Sequence, residues 1–294
     1  MAKFVINEEL LSQIEMLQSL LKNNVAGMFG GNHKSRSYGS SCEFADYRDY
    51  LPGDDTTKLD WNIYARFEKL YLKLFLDERQ MHTRIYIDAS RSMEYGDAKK
   101  AEQALNFAAL LAYLSICEMD KVSIYVIKDR SVHEIIHSMV GKESFLSSIH
   151  ALEEITFDGD THISDAIVPE NVGYGDGLSV IISDFLTEHD YEAAIDHLIA
   201  KRRDVFCLQI LSREELNPQI RGKVHFFDSE NVGLFYRKNI DREIIKAYRE
   251  ALTYATDRIR NYCHAREAGY LLASAEDSAN DIFFEKLVSM GVFK

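Results

Sequence analysis

A chain of 294 residues, 46% of them apolar, is long enough to bury a sizeable core without covalent staples. Its 47 acidic against 34 basic residues leave a formal charge of −13, which repels nucleic-acid phosphates and anionic membrane surfaces and makes nucleic acid a poor candidate partner. Of the four cysteines, Cys42, Cys117, Cys207 and Cys263, three fall inside apolar periodic runs and read as reduced core or near-core thiols.

At the start, Glu8, Glu9 and Glu15 interrupt what a signal peptide would keep apolar, and no run of about eighteen apolar residues follows anywhere. The expectation is a cytoplasmic protein with no membrane span. Leu10, Ile14, Leu17 and Leu21 recur at helical spacing and predict a short amphipathic helix over 7–21. The stretch 27–41, rich in Gly, Ser and basic residues, reads as a solvated connection. Lys34 lacks the preceding glycine of a phosphate-cradling loop.

The segment from Glu43 to Arg66 is dense in charge. Arg48 and Arg66 are placed to pair with Asp46, Asp54, Asp55 or Asp60. Trp61, the single tryptophan, is expected to pack this segment onto the domain that follows.

From Arg84 onward strands and helices alternate. Near-continuous apolar strands are predicted at 84–89, 122–127, 178–183 and 205–211. The helix predicted over 97–117 carries Ala101, Ala104, Leu105, Ala108, Leu111, Ala112 and Ile116 on one stripe, and a second helix aligns Tyr191, Ala194, Ile195, Leu198 and Ile199. Strands apolar on both faces with helices between them imply a doubly wound, mostly parallel α/β sheet with helices on both faces. Shorter edge strands are expected at 223–228 and 268–273, flanking a long helix that runs from Ile240 to Tyr262. The division is an N-terminal helix and polar segment over 1–80, then one α/β domain over 81–294.

His133-Glu134-Ile135-Ile136-His137 fits the HExxH pattern of zinc peptidases, but it follows a strand and a turn and is itself rich in β-branched residues. A returning strand is expected, in which the two histidine Cβ atoms lie roughly 13 Å apart, too far for one zinc. The other histidines are scattered and suggest surface or core roles.

In such a sheet ligands sit beyond the carboxyl ends of the strands. The first strand ends in Asp88-x-Ser90-x-Ser92, Gly159-Asp160-Thr161 opens a helix, and another strand ends at Asp184. Two carboxylates and three hydroxyls are hard oxygen donors suited to Mg²⁺, or Mn²⁺. Alone, Asp-x-Ser-x-Ser is ordinary cap chemistry. Its chain order and placement resemble the metal-ion-dependent adhesion site of the von Willebrand factor A superfamily, whose five positions correspond to Asp88, Ser90, Ser92, Thr161 and Asp184.

There are two departures. Asp160 replaces a glycine commonly found before the threonine, where a carboxylate would tighten metal binding or damp attraction for an acidic partner. Phe185 replaces the glycine often found after the last aspartate. Upstream, Glu43-Phe44-x-Asp46-x-Arg48-x-Tyr50-x-x-Gly53-Asp54-Asp55, then Leu59-Asp60-Trp61 and Ala65-Arg66, resembles the signature of the bacterial family catalogued as domain of unknown function fifty-eight.

That resemblance implies a cytoplasmic companion of MoxR-type AAA+ ATPases with a chaperone-like role in complex assembly. The function expected is a non-enzymatic, metal-dependent interaction module. It would offer an open metal position to an acidic residue of a protein partner, with Ser90 and Ser92 as direct ligands, Thr161 direct or through water, and Asp88 and Asp184 holding waters. The alternative is a Mg²⁺-dependent phosphate-ester hydrolase at the same edge. It lacks the second aspartate, two residues after Asp88, that would carry its proton; Ser90 stands there.

Overall fold

The computed structural model describes residues 44–75, 80–94, 99–170, 172–187, 189–219, 222–227 and 235–277. The helix predicted over 7–21 and the connection over 27–41 lie outside them. The described residues fall into two compact units that meet in sequence between Gln80 and Met81.

In the first unit, β1 (Phe44–Asp49) pairs antiparallel with β2 (Tyr71–Phe75), and α1 (Trp61–Phe67) lies between them in sequence. Asp60 organises this unit. Its Oδ1 caps α1 by accepting the amides of Asn62 and Ile63 at 2.8 and 3.1 Å. Its Oδ2 receives the Tyr47 hydroxyl at 3.0 Å and the Lys73 ammonium at 3.2 Å. Burial would raise the Asp60 carboxyl, but those four donors together pull it below its ordinary value. Of the ion pairs expected from sequence, Arg48 reaches Asp54 at 2.8 Å. Trp61 is 61% exposed and meets Tyr64 edge to face at 6.1 Å.

The second unit is the α/β domain. Its strands are β3 (His82–Asp88), β4 (Lys121–Lys128), β5 (Ser131–Met139), β6 (Leu178–Ser183), β7 (Asp204–Leu211) and β10 (Gly269–Ser274), in the order β10-β7-β6-β3-β4-β5. All neighbours run parallel except β5, which returns antiparallel on β4. The HExxH stretch is therefore a strand, as its β-branched content required, and His137 bonds Glu134 at 3.0 Å.

Alternation along the strands sends Tyr86, Tyr125, Ile181 and Cys207 to one face. There they bury against α5 (Ile163–Ile167), α6 (Glu192–Ala200) and, through Ile259 and Cys263, α8 (Arg242–Ala265). Ile85, Ile87, Ile124, Val180 and Leu208 are fully buried on the opposite face. The helix α3 (Lys99–Cys117), outside that cluster, lies against β3, β4, β6 and β7 and also touches the short helices α2 (Arg91–Glu94) and α4 (Gly141–Ser148). Helices on both faces satisfy the doubly wound reading.

Three expectations are corrected. The segment read as an edge strand at 223–228 is β8 (Gly222–Phe227), which pairs with β9 (Phe235–Ile240) in a separate antiparallel ribbon. The long helix starts at Arg242, capped by Asp241, so Ile240 ends a strand instead. Cys117 is exposed at the end of α3, where the apolar stripe runs out, while Cys207 and Cys263 are buried thiols. Among the described residues no helix is long and apolar enough to cross a membrane.

Candidate metal centre at the carboxyl edge of the sheet

β3 and β6 are neighbours in the sheet, but the chain leaves them for opposite faces, by α3 and α6. In open α/β sheets such a change of face marks the carboxyl edge where ligands bind. Asp88 ends β3, Ser183 ends β6 with Asp184 directly after it, and the Ser183 hydroxyl donates to Asp88 Oδ2 at 2.6 Å. Asp88 Oδ1 accepts the Ser90 amide at 2.9 Å, which folds the loop back over the strand end.

The threonine loop is zipped alongside. Gly159 N–H donates to the Ala89 carbonyl at 3.3 Å, and Arg91 N–H to the Gly159 carbonyl at 2.8 Å. On its other edge Asp129 N–H donates to the Asp160 carbonyl at 2.7 Å, and His162 N–H to the Asp129 carbonyl at 2.9 Å. Thr161 is thereby drawn between the ends of β3 and β4. The structure gathers Asp88, Ser90, Ser92, Thr161 and Asp184 at one sheet edge, all but Ser92 nearly fully buried.

Two observations fit a small hard cation. The Ser90 and Ser92 hydroxyls hydrogen-bond each other at 2.9 Å, which is also about the separation of neighbouring ligands in an octahedron with 2.0–2.1 Å bonds. The Thr161 hydroxyl is sealed from solvent and, although it faces the Asp88 carboxylate closely enough to favour its charged form, makes no hydrogen bond of ordinary geometry. A buried polar atom left so is costly unless something else supplies its partner. Burial and the neighbouring Asp184 carboxylate push Asp88 above its usual range, against the pull of Ser183, Thr161 and the Ser90 amide. A dication would relieve that repulsion.

One participant was not anticipated. The Lys100 ammonium, 2% exposed, sits 3.0 Å from Asp184 Oδ2 and 2.6 Å from Glu215 Oε1. Burial disfavours its charge, but Asp184 and Glu215 outweigh burial and raise it above the ordinary lysine value. Glu215 is itself fixed by a capping box with Ser212 at the start of α7 (Arg213–Leu216). Asp184 is further held through its carbonyl, which accepts from Gln209 at 2.7 Å, while Gln209 accepts from Tyr270 at 2.6 Å. The signal for Lys100 was its place, one turn before Ala104 on the apolar stripe of α3.

Asp160 does not turn toward these hydroxyls. Its carboxylate faces His162 and His189, at 3.4 and 3.9 Å from their Nε2 atoms. Phe185, at the position of the expected glycine, adopts the left-handed conformation (φ 51°) that a glycine would supply, and buries its ring against Tyr191.

The family described as "Protein of unknown function DUF58" matches residues 46–258, spanning the first unit, the metal edge and most of α8. The chain belongs to this family. A relative within reach is the Uncharacterized protein Rv1480 of Mycobacterium tuberculosis, 24% identical over 232 residues that cover 76% of this chain and 72% of that protein. Among solved structures, BatB from Bacteroides thetaiotaomicron superposes with a TM-score of 0.41 at 16% identity, over 72% of this chain and 99% of that one. The SpRpn10 VWA domain does so at 0.39 and 12% identity, over 70% and 94% respectively.

Proposed function

We propose that this DUF58 protein is a cytoplasmic, non-enzymatic interaction module. Its Ser90, Ser92 and Thr161 oxygens hold Mg²⁺, or Mn²⁺, with Asp88 and Asp184 positioning its waters, so that an acidic residue of a protein partner completes the coordination. The observation that carries the reading is the sealed Thr161 hydroxyl, which faces Asp88 without a hydrogen bond of ordinary geometry, beside a hydrogen-bonded serine pair whose oxygens are 2.9 Å apart. Neutral hydroxyls around a dication leave net positive charge at an open position, which attracts a carboxylate. Both oxygens of Asp88 are already engaged, by the Ser90 amide and the Ser183 hydroxyl, which favours a positioning role over a nucleophilic one.

The partner we assign, a MoxR-type AAA+ ATPase assembled with this protein in a chaperone-like complex, rests on the family resemblance of the upstream signature. The test is capture of the ATPase encoded in the same host, with Mg²⁺ and with chelator. Capture should require the metal and fall at least tenfold in Ser90→Ala and Asp184→Ala. Capture indifferent to chelator and to both substitutions would remove the metal from the account. Turnover of a generic phosphate ester that disappears in Asp88→Asn would replace the interaction module with the hydrolase.

A further inference from the structure

Thr161 is flanked by Asp160 and His162 on an extended segment, so with a side-chain period of two its neighbours turn away from the hydroxyl cluster. On that side they meet His189, from the loop after β6. The ligand atoms of Asp160, His162 and His189 all lie within 4.8 Å of one another, with Asp160 Oδ2 at 3.4 Å from His162 Nε2 and 3.9 Å from His189 Nε2. Adjacent ligands of a tetrahedral ion with 2.0–2.1 Å bonds are about 3.3 Å apart, close to the Asp160–His162 separation and shorter than the Asp160–His189 one.

The two imidazoles are stacked at 3.6 Å between centroids with 29° between their planes, so one ring has to turn out of the stack before both in-plane nitrogen lone pairs meet at a single ion. The other ring nitrogen of His162, Nδ1, is 3.6 Å from Asp165 Oδ2, a contact longer than a hydrogen bond that Asp165 shares with Arg130 at 3.5 Å. Closed to hydrogen-bond length, a carboxylate behind one ring nitrogen fixes the tautomer and directs the lone pair of the other nitrogen toward a metal, the arrangement that metal-bound histidines regularly show.

We propose that Asp160, His162 and His189 form a second metal site, of zinc type, on the outer side of the segment whose inner side carries Thr161. Two imidazoles and one carboxylate select a borderline-soft ion over Mg²⁺. Asp160 and His189 are 43% and 41% exposed, so a fourth position stays open to water or to a group from outside. This site does not depend on the Mg²⁺ reading.

The test is a titration of the metal-free full-length protein with Co²⁺ in excess Mg²⁺, followed by displacement with Zn²⁺. One equivalent of Co²⁺ should give the intense visible absorption of a tetrahedral site, and Zn²⁺ should abolish it. His162→Ala and His189→Gln should each weaken binding at least tenfold, Asp165→Asn about 10- to 100-fold, and Ser90→Ala not at all. Zn²⁺ should also shift two histidine rings in nitrogen NMR of the unmutated protein, a readout independent of any variant's folding. Binding that survives both histidine substitutions but disappears in Ser90→Ala would assign the ion to the other site and overturn the proposal. Absence of saturable Co²⁺ binding, or of any ring shift, would leave the cluster an ordinary surface ion pair and overturn it equally.

Discussion

Phe185 holds a buried aromatic ring on a left-handed backbone, which for a side chain with a Cβ costs about 1–2 kcal/mol. The ring's burial against Tyr191 outweighs that strain, since removing a core phenylalanine costs about 3–5 kcal/mol. The usual order of substitutions should therefore reverse here. Phe185→Gly should be less destabilising than Phe185→Ala by about 1 kcal/mol in urea unfolding, because glycine recovers the backbone term. Lys100 is the other residue whose removal should speak clearly. Lys100→Met leaves Asp184 and Glu215 without their buried cation and should cost about 3 kcal/mol. In that variant a divalent ion is the remaining means of neutralising Asp184, so Mg²⁺ should raise the Tm by more than it does in the unmutated protein. That the five hydroxyl and carboxylate residues gather at one sheet edge was legible from order and spacing, because each ends or follows a strongly apolar strand or opens a helix. Lys100 was not, because a lysine at a helix start usually reaches solvent. His189 was not, because nothing in one dimension ties it to His162.

Among elements, the central strands and the helices between them could be read to within a few residues, since period and apolar run length are local properties. Which strand pairs with which is not local. The apolar pattern of β8 fits a sheet edge as well as it fits the ribbon with β9, and only the partner strand distinguishes them. The amino edge of the sheet also hides a structural device. Among the described residues Arg203 is buried without a carboxylate at ion-pair distance, donating from Nε to Ser179 at 2.9 Å and from its Nη2 to the carbonyls of Leu178, at 2.6 Å, and of His82. Burial and the nearby Arg84 charge lower it to about 10. Gly177 makes room for it, because a Cβ there would lie 2.6 Å from both the Arg203 guanidinium and the His82 carbonyl. Gly177→Ala should destabilise by about 2–4 kcal/mol, measured by urea unfolding, through overpacking on a backbone unfavourable to L-residues. His82 shares this edge. Burial first, then the charges of Arg84, Arg203 and Lys121, lower it from 6.5 to about 4. The unfolded chain therefore takes up a proton near pH 6.5 that the folded protein refuses until about 4. Its contribution to stability is complete above pH 6.5, declines as pH falls from there to about 4, and levels off below. Unfolding midpoints across that window should slope less in His82→Gln.

For the molecule as a whole, the formal charge of −13 draws divalent cations to the surface without selecting a site, so metal uptake alone says little. The narrower claim is that one buried hydroxyl, facing Asp88 without a hydrogen bond of ordinary geometry, is placed to meet an ion. Thr161→Val keeps the shape and removes that oxygen, and unfolding temperatures of it and the unmutated protein, with chelator and with Mg²⁺, test the claim directly. With chelator the valine variant should be as stable as the unmutated protein or more so, by about 1 kcal/mol, because an unsatisfied buried group has gone. With Mg²⁺ the unmutated protein should gain stability and the variant should not. A variant that loses stability in chelator, or that responds to Mg²⁺ as fully as the unmutated protein, would contradict the assignment of Thr161 and the metal centre built around it.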